Sequence, residues 1–298
     1  TNNINVYIES QNITDDNDPS HTNVIFGGNS FSSENEINDF KHLKVVEHHK
    51  GFETFKFIKC TCIKEDENTI EVPERFKPLS TFNYQCSSIE SCKPGDNDEY
   101  VEHERISEPT ENLILRRTKF TNLKDTTVEG GAILIKSSRF DCLIEECLFE
   151  ECSSKKGGAL FIYYANAKYF NLTIIDTTFN KCESISDGGA IYIENTQPLY
   201  HSMIIVRCIF KLNKAKNGGG INGKIRDQLN IEGCTFENNE ASNIGSSLYL
   251  ILGYNNIKDQ GEEHDSFNIT DNIFKFTPTP TTNNINVYIE SQNITDDN

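Results

Sequence analysis

The chain has 298 residues, a formal net charge of −17, no Trp and a single Met, Met203. Its carboxylate excess excludes nucleic acid as a partner, because a phosphate backbone has to be neutralised by Lys and Arg. No apolar run approaches the roughly 20 residues of a membrane-crossing helix, so no membrane span is expected in this segment.

The first element is also the last. Thr1 to Asn17 reads TNNINVYIESQNITDDN, and Thr282 to Asn298 repeats it letter for letter. We expect the chain to be one 281-residue period of a tandem array, cut just after the next copy begins. Self-similarity at a fixed period marks solenoids and arrays. The expected partners are therefore copies of the same chain, continued in tandem or stacked head to tail.

A finer period lies inside the long one. Short segments end on Phe31, Phe120, Phe149, Phe179, Phe210, Phe236 and Phe274. Seven residues before each Phe stand Val24, Leu113, Cys142, Leu172, Met203, Leu229 and Phe267, and five before stand Phe26, Leu115, Ile144, Ile174, Ile205, Ile231 and Ile269. Such alternation is the period of a strand with one face turned inward. Two residues before the Phe the side chain is small or polar: Asn29, Thr118, Cys147, Thr177, Cys208, Cys234 and Asn272.

A second motif follows each Phe. Gly130-Gly131-Ala132-Ile133, Gly157-Gly158-Ala159-Leu160 and Gly188-Gly189-Ala190-Ile191 each open another strand, and Gly218 to Ile221 and Gly245 to Leu248 are looser versions. Recurrent Gly pairs and β-branched runs disfavour helix. A coil with one inward row buries no core alone, so coils have to stack, each strand pairing with its counterpart about 4.8 Å away. The predicted fold is all-β: a right-handed parallel β-helix, since parallel crossovers are right-handed. About nine or ten coils per period would make a column roughly 45 Å long.

The alternation of GGA plus Ile or Leu (Gly130, Gly157, Gly188) with FxxN (Phe210 to Asn213, Phe236 to Asn239) resembles the repeat pair of the polymorphic membrane proteins, autotransporter-type surface proteins of intracellular bacteria. At Phe149 and Phe179 the Asn position holds Cys152 and Cys182, and at Phe120 it holds Leu123. The resemblance covers roughly residues 113 to 275 and, more loosely, 1 to 31, with no match to that family's translocation barrel. It implies a β-helical passenger with adhesive or structural roles.

In chain order, 1–44 reads as coils continuing from a preceding repeat. Residues 45–110 read as an irregular insertion or elaborated coil, 111–276 as regular coils, and 277–298 as the repeat junction. The insertion carries Cys60, Cys62, Cys86 and Cys92, candidate disulfide partners that would pin it, and it is a candidate lateral contact. Cys152 and Cys182 share one column in adjacent coils, and Cys208 and Cys234 share another. Each pair is either an axial disulfide or two small apolar residues. Ten Cys in all, with N-x-[ST] sequons at Asn12, Asn171, Asn268 and Asn293, point to an extracellular or cell-surface glycoprotein.

No metal, cofactor or catalytic residue is expected. Cys60-x-Cys62 lacks a partner pair at zinc spacing. The acidic runs Asp15 to Asp18, Asp96 to Glu99 and Glu262-Glu263, like His48-His49, read as solvated loops. The sequence therefore predicts a structural filament protein. The rival readings are a surface adhesin binding a host or glycan ligand through its loops and a polysaccharide lyase.

Overall fold

The computed structural model describes residues 5–10, 23–27, 30–33, 44–45, 54–58, 61–62, 101–109, 112–136, 139–164, 169–195, 201–225, 228–254, 266–276 and 285–293; before Glu102 the description is of backbone and strand pairing. Among these residues there is no helix, and neighbouring strands pair in parallel.

Residues 139–164 show one coil. Arg139–Glu145 lies on a first face, Leu148–Glu150 on a second, Ser153–Ser154 on a third and Leu160–Tyr164 on a fourth. Tyr169–Ile175 then lies on Arg139–Glu145, residue for residue, and starts the next circuit. Among the described residues the four faces hold eight, nine, five and nine strands. This is the parallel β-helix the Phe and Gly periods predict.

In-register stacking turns each sequence column into a ladder. The two apolar columns before each Phe are the inward rows of the first face: Leu113, Leu172, Met203 and Phe267, with Leu115, Ile144, Ile174, Ile205, Ile231 and Ile269, are buried. Phe120, Phe149, Phe179, Phe210, Phe236 and Phe274 form one file of fully buried rings. Their centroids are 4.8 to 5.0 Å apart and their planes lie within 11° of each other. That spacing is the strand spacing itself, and it falls in the range of slid, offset stacks. Phe31 continues the file in the backbone register, pairing with Phe274 on one side and Cys62 on the other.

The Gly pair makes the corner before the fourth face. Gly157 has φ +63°, and a Cβ on Gly158 would lie 2.1 Å from the Gly189 carbonyl oxygen of the next coil. The first position needs left-handed backbone and the second needs the missing side chain. In the last such corner Ser246 takes the place of the second Gly, and there the third face ends: Glu240–Ile244 is its final strand among the described residues.

Ion pairs tie successive coils on the outside. Arg116 meets Glu145 at 2.7 Å, Arg117 meets Glu146 at 2.7 Å, Lys211 meets Glu237 at 2.6 Å and Lys214 meets Glu240 at 3.1 Å. Arg207 forks onto both oxygens of Asp176, at 2.6 and 2.5 Å, and this hydrogen bonding raises the Arg207 pKa further. The bidentate, half-buried pair is the strong member of this set; the exposed ones contribute less, up to about 1 kcal/mol each.

The order of coils in the stack differs from their order in the chain. The column starts at Val101–Glu102 and Ile106–Ser107 and rises to Ser266–Thr270, Ile273–Phe276 and Ile285–Asn293. The N-terminal strands come next: Asn23–Gly27 lies on Ser266–Thr270, Ser30–Ser33 on Ile273–Phe276, and Asn5–Ser10 on Ile285–Asn293. Lys44–Val45, Thr54–Ile58 and Thr61–Cys62 form the layer beyond. The N-terminal coils therefore sit above the C-terminal coils, and Cys62 and Val101 lie at opposite ends of the column. The two identical terminal strands occupy consecutive layers of the fourth face. Counted once, they leave eight of its nine layers, against the nine or ten coils expected. Asn5–Ser10, Asn23–Gly27, Ser30–Ser33 and Lys44–Val45 lie at or before the first expected boundary. The 45–110 segment supplies Thr54–Ile58, Thr61–Cys62, Val101–Glu102 and Ile106–Ser107, with most of its remainder outside the described residues.

Phe179 and Ile209 of the next coil test the ladder. Phe179→Ala removes a buried ring stacked on both sides and should destabilise the fold by about 3–5 kcal/mol. Ile209 is 42% exposed, so Ile209→Ala should stay within about 0.5 kcal/mol. Denaturant melts of the two variants distinguish inward from outward columns; equal losses would refute the register.

Candidate functional site: the corner ladders and the repeat edge

Each coil turns twice around its Phe. Three residues before it stand Arg117, Glu146, Asp176, Arg207, Gly233 and Asp271, and two after it stand Asn122, Glu151, Lys181, Leu212 and Asn238; all have positive φ, 46° to 56° for the non-Gly members. Left-handed backbone is unfavourable for L residues by roughly 1–2 kcal/mol, so something repeated has to hold these bends. Asn-rich composition alone does not reveal them, since most are charged. The signal in the sequence is their fixed offset from the Phe.

Where the residue after a bend is Asn, it is buried and holds the corner of the coil before it. Asn213 accepts the Cys182 N–H at 2.8 Å and donates to the Phe179 carbonyl at 3.0 Å. Asn239 accepts the Asn213 N–H at 3.0 Å and donates to the Phe210 carbonyl at 2.9 Å. Asn272 does the same for the Cys234 N–H and the Ile231 carbonyl. At a bend the backbone groups lose their ladder partners, and a buried unpaired one costs about 1–3 kcal/mol. The side-chain amide supplies both missing bonds. This is the chemistry of the Asn in FxxN.

The cysteines occupy the same positions. The Cys152 and Cys182 thiols donate to the Phe120 and Phe149 carbonyls at 3.6 Å, as Asn213 does to Phe179. In the other corner Cys208 and Cys234 donate to the Ile174 and Ile205 carbonyls at 3.6 and 3.5 Å, and the Cys234 sulfur accepts the Cys208 N–H at 3.4 Å. The axial disulfides considered for Cys152–Cys182 and Cys208–Cys234 are absent: these residues, with Cys142 and Cys147, are free and buried. Parallel, in-register side chains hold their Cβ atoms about a strand spacing apart, beyond the usual 3.5–4.5 Å of a disulfide. The thiols are occupied as weak surrogates for Asn. Cys62 lies in the second face beside Phe31; Cys60, Cys86 and Cys92 lie outside the described residues.

Of the sequons, Asn171 and Asn268 project outward from the first face, each between two buried neighbours (Phe170 and Leu172; Phe267 and Ile269). The Asn171 amide donates to Asp141 at 3.1 Å. Asn293 ends the last strand, paired with Tyr254, and Asn12 lies outside the described residues. So do the acidic runs at 15–18, 96–99 and 262–263 and His48-His49. Among the described residues no three His, Cys, Asp or Glu side chains converge.

The second element of the site is the edge where the terminal copies meet. Val6 pairs with Val287, Tyr7 with Tyr288, Ile8 with Ile289, Glu9 with Glu290 and Ser10 with Ser291. On the acceptor strand Val287 and Ile289 are buried inward. Tyr288 stacks on Tyr249 at 5.0 Å and donates to Glu290 at 3.0 Å. The pairing surface is thus a strand laid upon its own copy.

The thiols yield a pH prediction. Burial pushes Cys147 up to about 12 and raises Cys182 and Cys208 well above the ordinary 9.0. Their neutral forms belong to the folded state. Each thiol's contribution is therefore intact below about pH 9 and lost as pH rises toward the folded pKa, at about 1.4 kcal/mol per unit. Denaturant midpoints should fall between about pH 9 and 11. Cys142, Cys147, Cys152, Cys182, Cys208 and Cys234 should resist alkylation when native and all react in denaturant without prior reduction, as peptide mass spectrometry would show.

No family model, curated protein or solved structure matches this chain.

Proposed function

We propose that this chain is a noncatalytic structural protein whose stacked coils build an extended filament outside the cell or on its surface. The observation that carries the reading is the register of Asn5–Ser10 on Ile285–Asn293. A column that accepts its own repeated strand, residue for residue, on its last layer has an edge suited to unlimited extension. A bare edge of this kind otherwise recruits other chains. The ladders support the same role: buried Phe, Asn and thiol columns join each coil to the next along the axis. The series of GGA and FxxN motifs, through its resemblance to polymorphic membrane proteins, and the outward sequons at Asn171 and Asn268 support a surface location.

Native material, or a chain of several joined periods, should form rods in electron micrographs. Eight or nine layers at about 4.8 Å predict an axial repeat of roughly 38–43 Å per period. Glycosidase treatment of the native protein should lower the mass of peptides containing Asn171 and Asn268. Isolated particles that bind a glycan or a cell saturably and never form rods would replace the filament with the adhesin.

A further inference from the structure

We propose that Asn217 is a deamidation site held closed by the stack, and that its conversion makes a transient opening of the column permanent.

Asn217-Gly218 and Asn222-Gly223 are the two Asn-Gly dipeptides of the chain, and both lie in one coil. In such a dipeptide the Gly nitrogen attacks the Asn side-chain carbonyl carbon. The bond to the amide nitrogen breaks, ammonia leaves and a five-membered succinimide forms. Water then opens the ring to Asp or to isoaspartate, in which the main chain runs through the former side chain. Water is the sole co-reactant, and glycine favours the attack because it has no Cβ to crowd the nitrogen.

The folded corner occupies the groups that this reaction uses. The Gly218 N–H donates to the Ile244 carbonyl at 3.1 Å. The Asn217 amide nitrogen donates to Asp187 at 2.7 Å, and its amide oxygen accepts the Asn243 amide at 2.8 Å. The Asn217 main-chain carbonyl accepts the Gly188 N–H at 3.0 Å. Attack takes the Gly218 nitrogen out of its ladder and the Asn217 nitrogen off Asp187, so it proceeds from an opened corner.

That corner is guarded by one strand. Glu240–Ile244 is the final strand of the third face among the described residues, and it supplies the bonds from Ile244 and Asn243. Its pairing shifts register between Ala215 and Asn217, and its Ser242 and Asn243 are exposed. An outermost, irregularly paired, solvent-exposed strand opens at the low end of the stability range. Asn222 is placed differently. It lies within Ile221–Ile225, between Ile191–Asn195 and Leu248–Tyr254, paired in unbroken register on both sides and 6% exposed. One coil thus holds the same dipeptide at a fraying edge and in the body of a sheet.

Conversion changes the sign of the contact. Asp187 and Asn217 pair in adjacent layers, and the nitrogen that meets the Asp187 carboxylate becomes a carboxylate oxygen. Like charges opposite each other are unfavourable across paired strands. Isoaspartate also lengthens the main chain, just before a Gly held at φ +63°. The altered corner no longer matches the layer below, and a reversible opening becomes a lasting gap between coils. This site is independent of the filament reading.

The full chain tests it, held folded in mildly alkaline buffer and in parallel unfolded in urea, with peptide mass spectrometry following both dipeptides. Unfolded, the two should convert at similar rates. Folded, Asn217 should convert about tenfold or more slowly than when unfolded, because only the open fraction reacts, yet well before Asn222. Equal folded and unfolded rates at Asn217, or Asn222 converting first, would overturn the proposal. Asn243→Ala should speed conversion of folded Asn217 about fivefold, the effect of one lost hydrogen bond on opening, and leave Asn222 unchanged; an unaltered Asn217 rate would count against the guarding strand. Asn217→Asp reproduces the product. Amide exchange at Gly188 and Gly218 should be faster in it than in Asn217→Ser, which loses the amide without adding charge, while Gly130 exchanges as before. Should Asn217→Asp fail to fold, chains partly converted in the folded state and separated by charge supply the same comparison. Equal protection at Gly188 and Gly218 would remove the lasting gap.

Discussion

The structure depends on one constraint: parallel strands of successive coils pair residue on residue at a fixed spacing near about 4.8 Å. Once that register is set, every position in the coil becomes a column along the axis. A column must be filled by side chains that tolerate a close copy of themselves. Phe satisfies this by slid stacking, as from Phe120 to Phe274. Charges do so where a partner of opposite sign lies in the next layer, as in Arg116 with Glu145 or Arg207 with Asp176. Glycine does so where two backbones come too close for any Cβ, as at Gly158.

The corners carry the second requirement. A coil has to turn, and turning removes backbone groups from the ladders. The polar inward residue after a left-handed bend restores them, from Cys152 and Thr177 onward, by reaching back to the preceding coil. An Asn does this with a full amide, Thr177 with one hydroxyl, and a cysteine with a weaker thiol. The exchange of Asn, Thr and Cys in these columns is thus a graded replacement within one role. It also changes what the cysteines mean: the six described thiols are buried corner groups, and they carry no argument for an oxidising compartment.

The inward columns, the Gly corner and the β-helix itself were legible in the sequence because stacking imposes near-identity at fixed intervals. Phe149, Phe179 and Phe210 announce the register by themselves. The bends were not legible as bends, because Glu146, Asp176 and Lys181 are ordinary surface residues whose conformation is set by position. Of the two readings left open for the cysteine columns, the structure selects the unbonded one: Cys152 and Cys182 are adjacent in the stack, free and buried. The place of the N-terminal strands, such as Asn23–Gly27 on Ser266–Thr270, was hidden for a different reason. Any coil of this column presents much the same rows, so local sequence fixes what a strand can pair with, while chain order leaves open which edge it takes.

The direction of the interstrand hydrogen bonds has a mechanical consequence. They run along the axis, so tension applied between the two ends loads the outermost layer first and detaches turns in sequence, each from the next. With 26 to 31 residues from one Phe to the next between Phe120 and Phe236, each detached turn releases roughly 9–10 nm of slack. A force–extension trace would then be a staircase whose tread lengths follow the coil lengths, and the protein would behave as a series of small fuses that lengthens before it breaks.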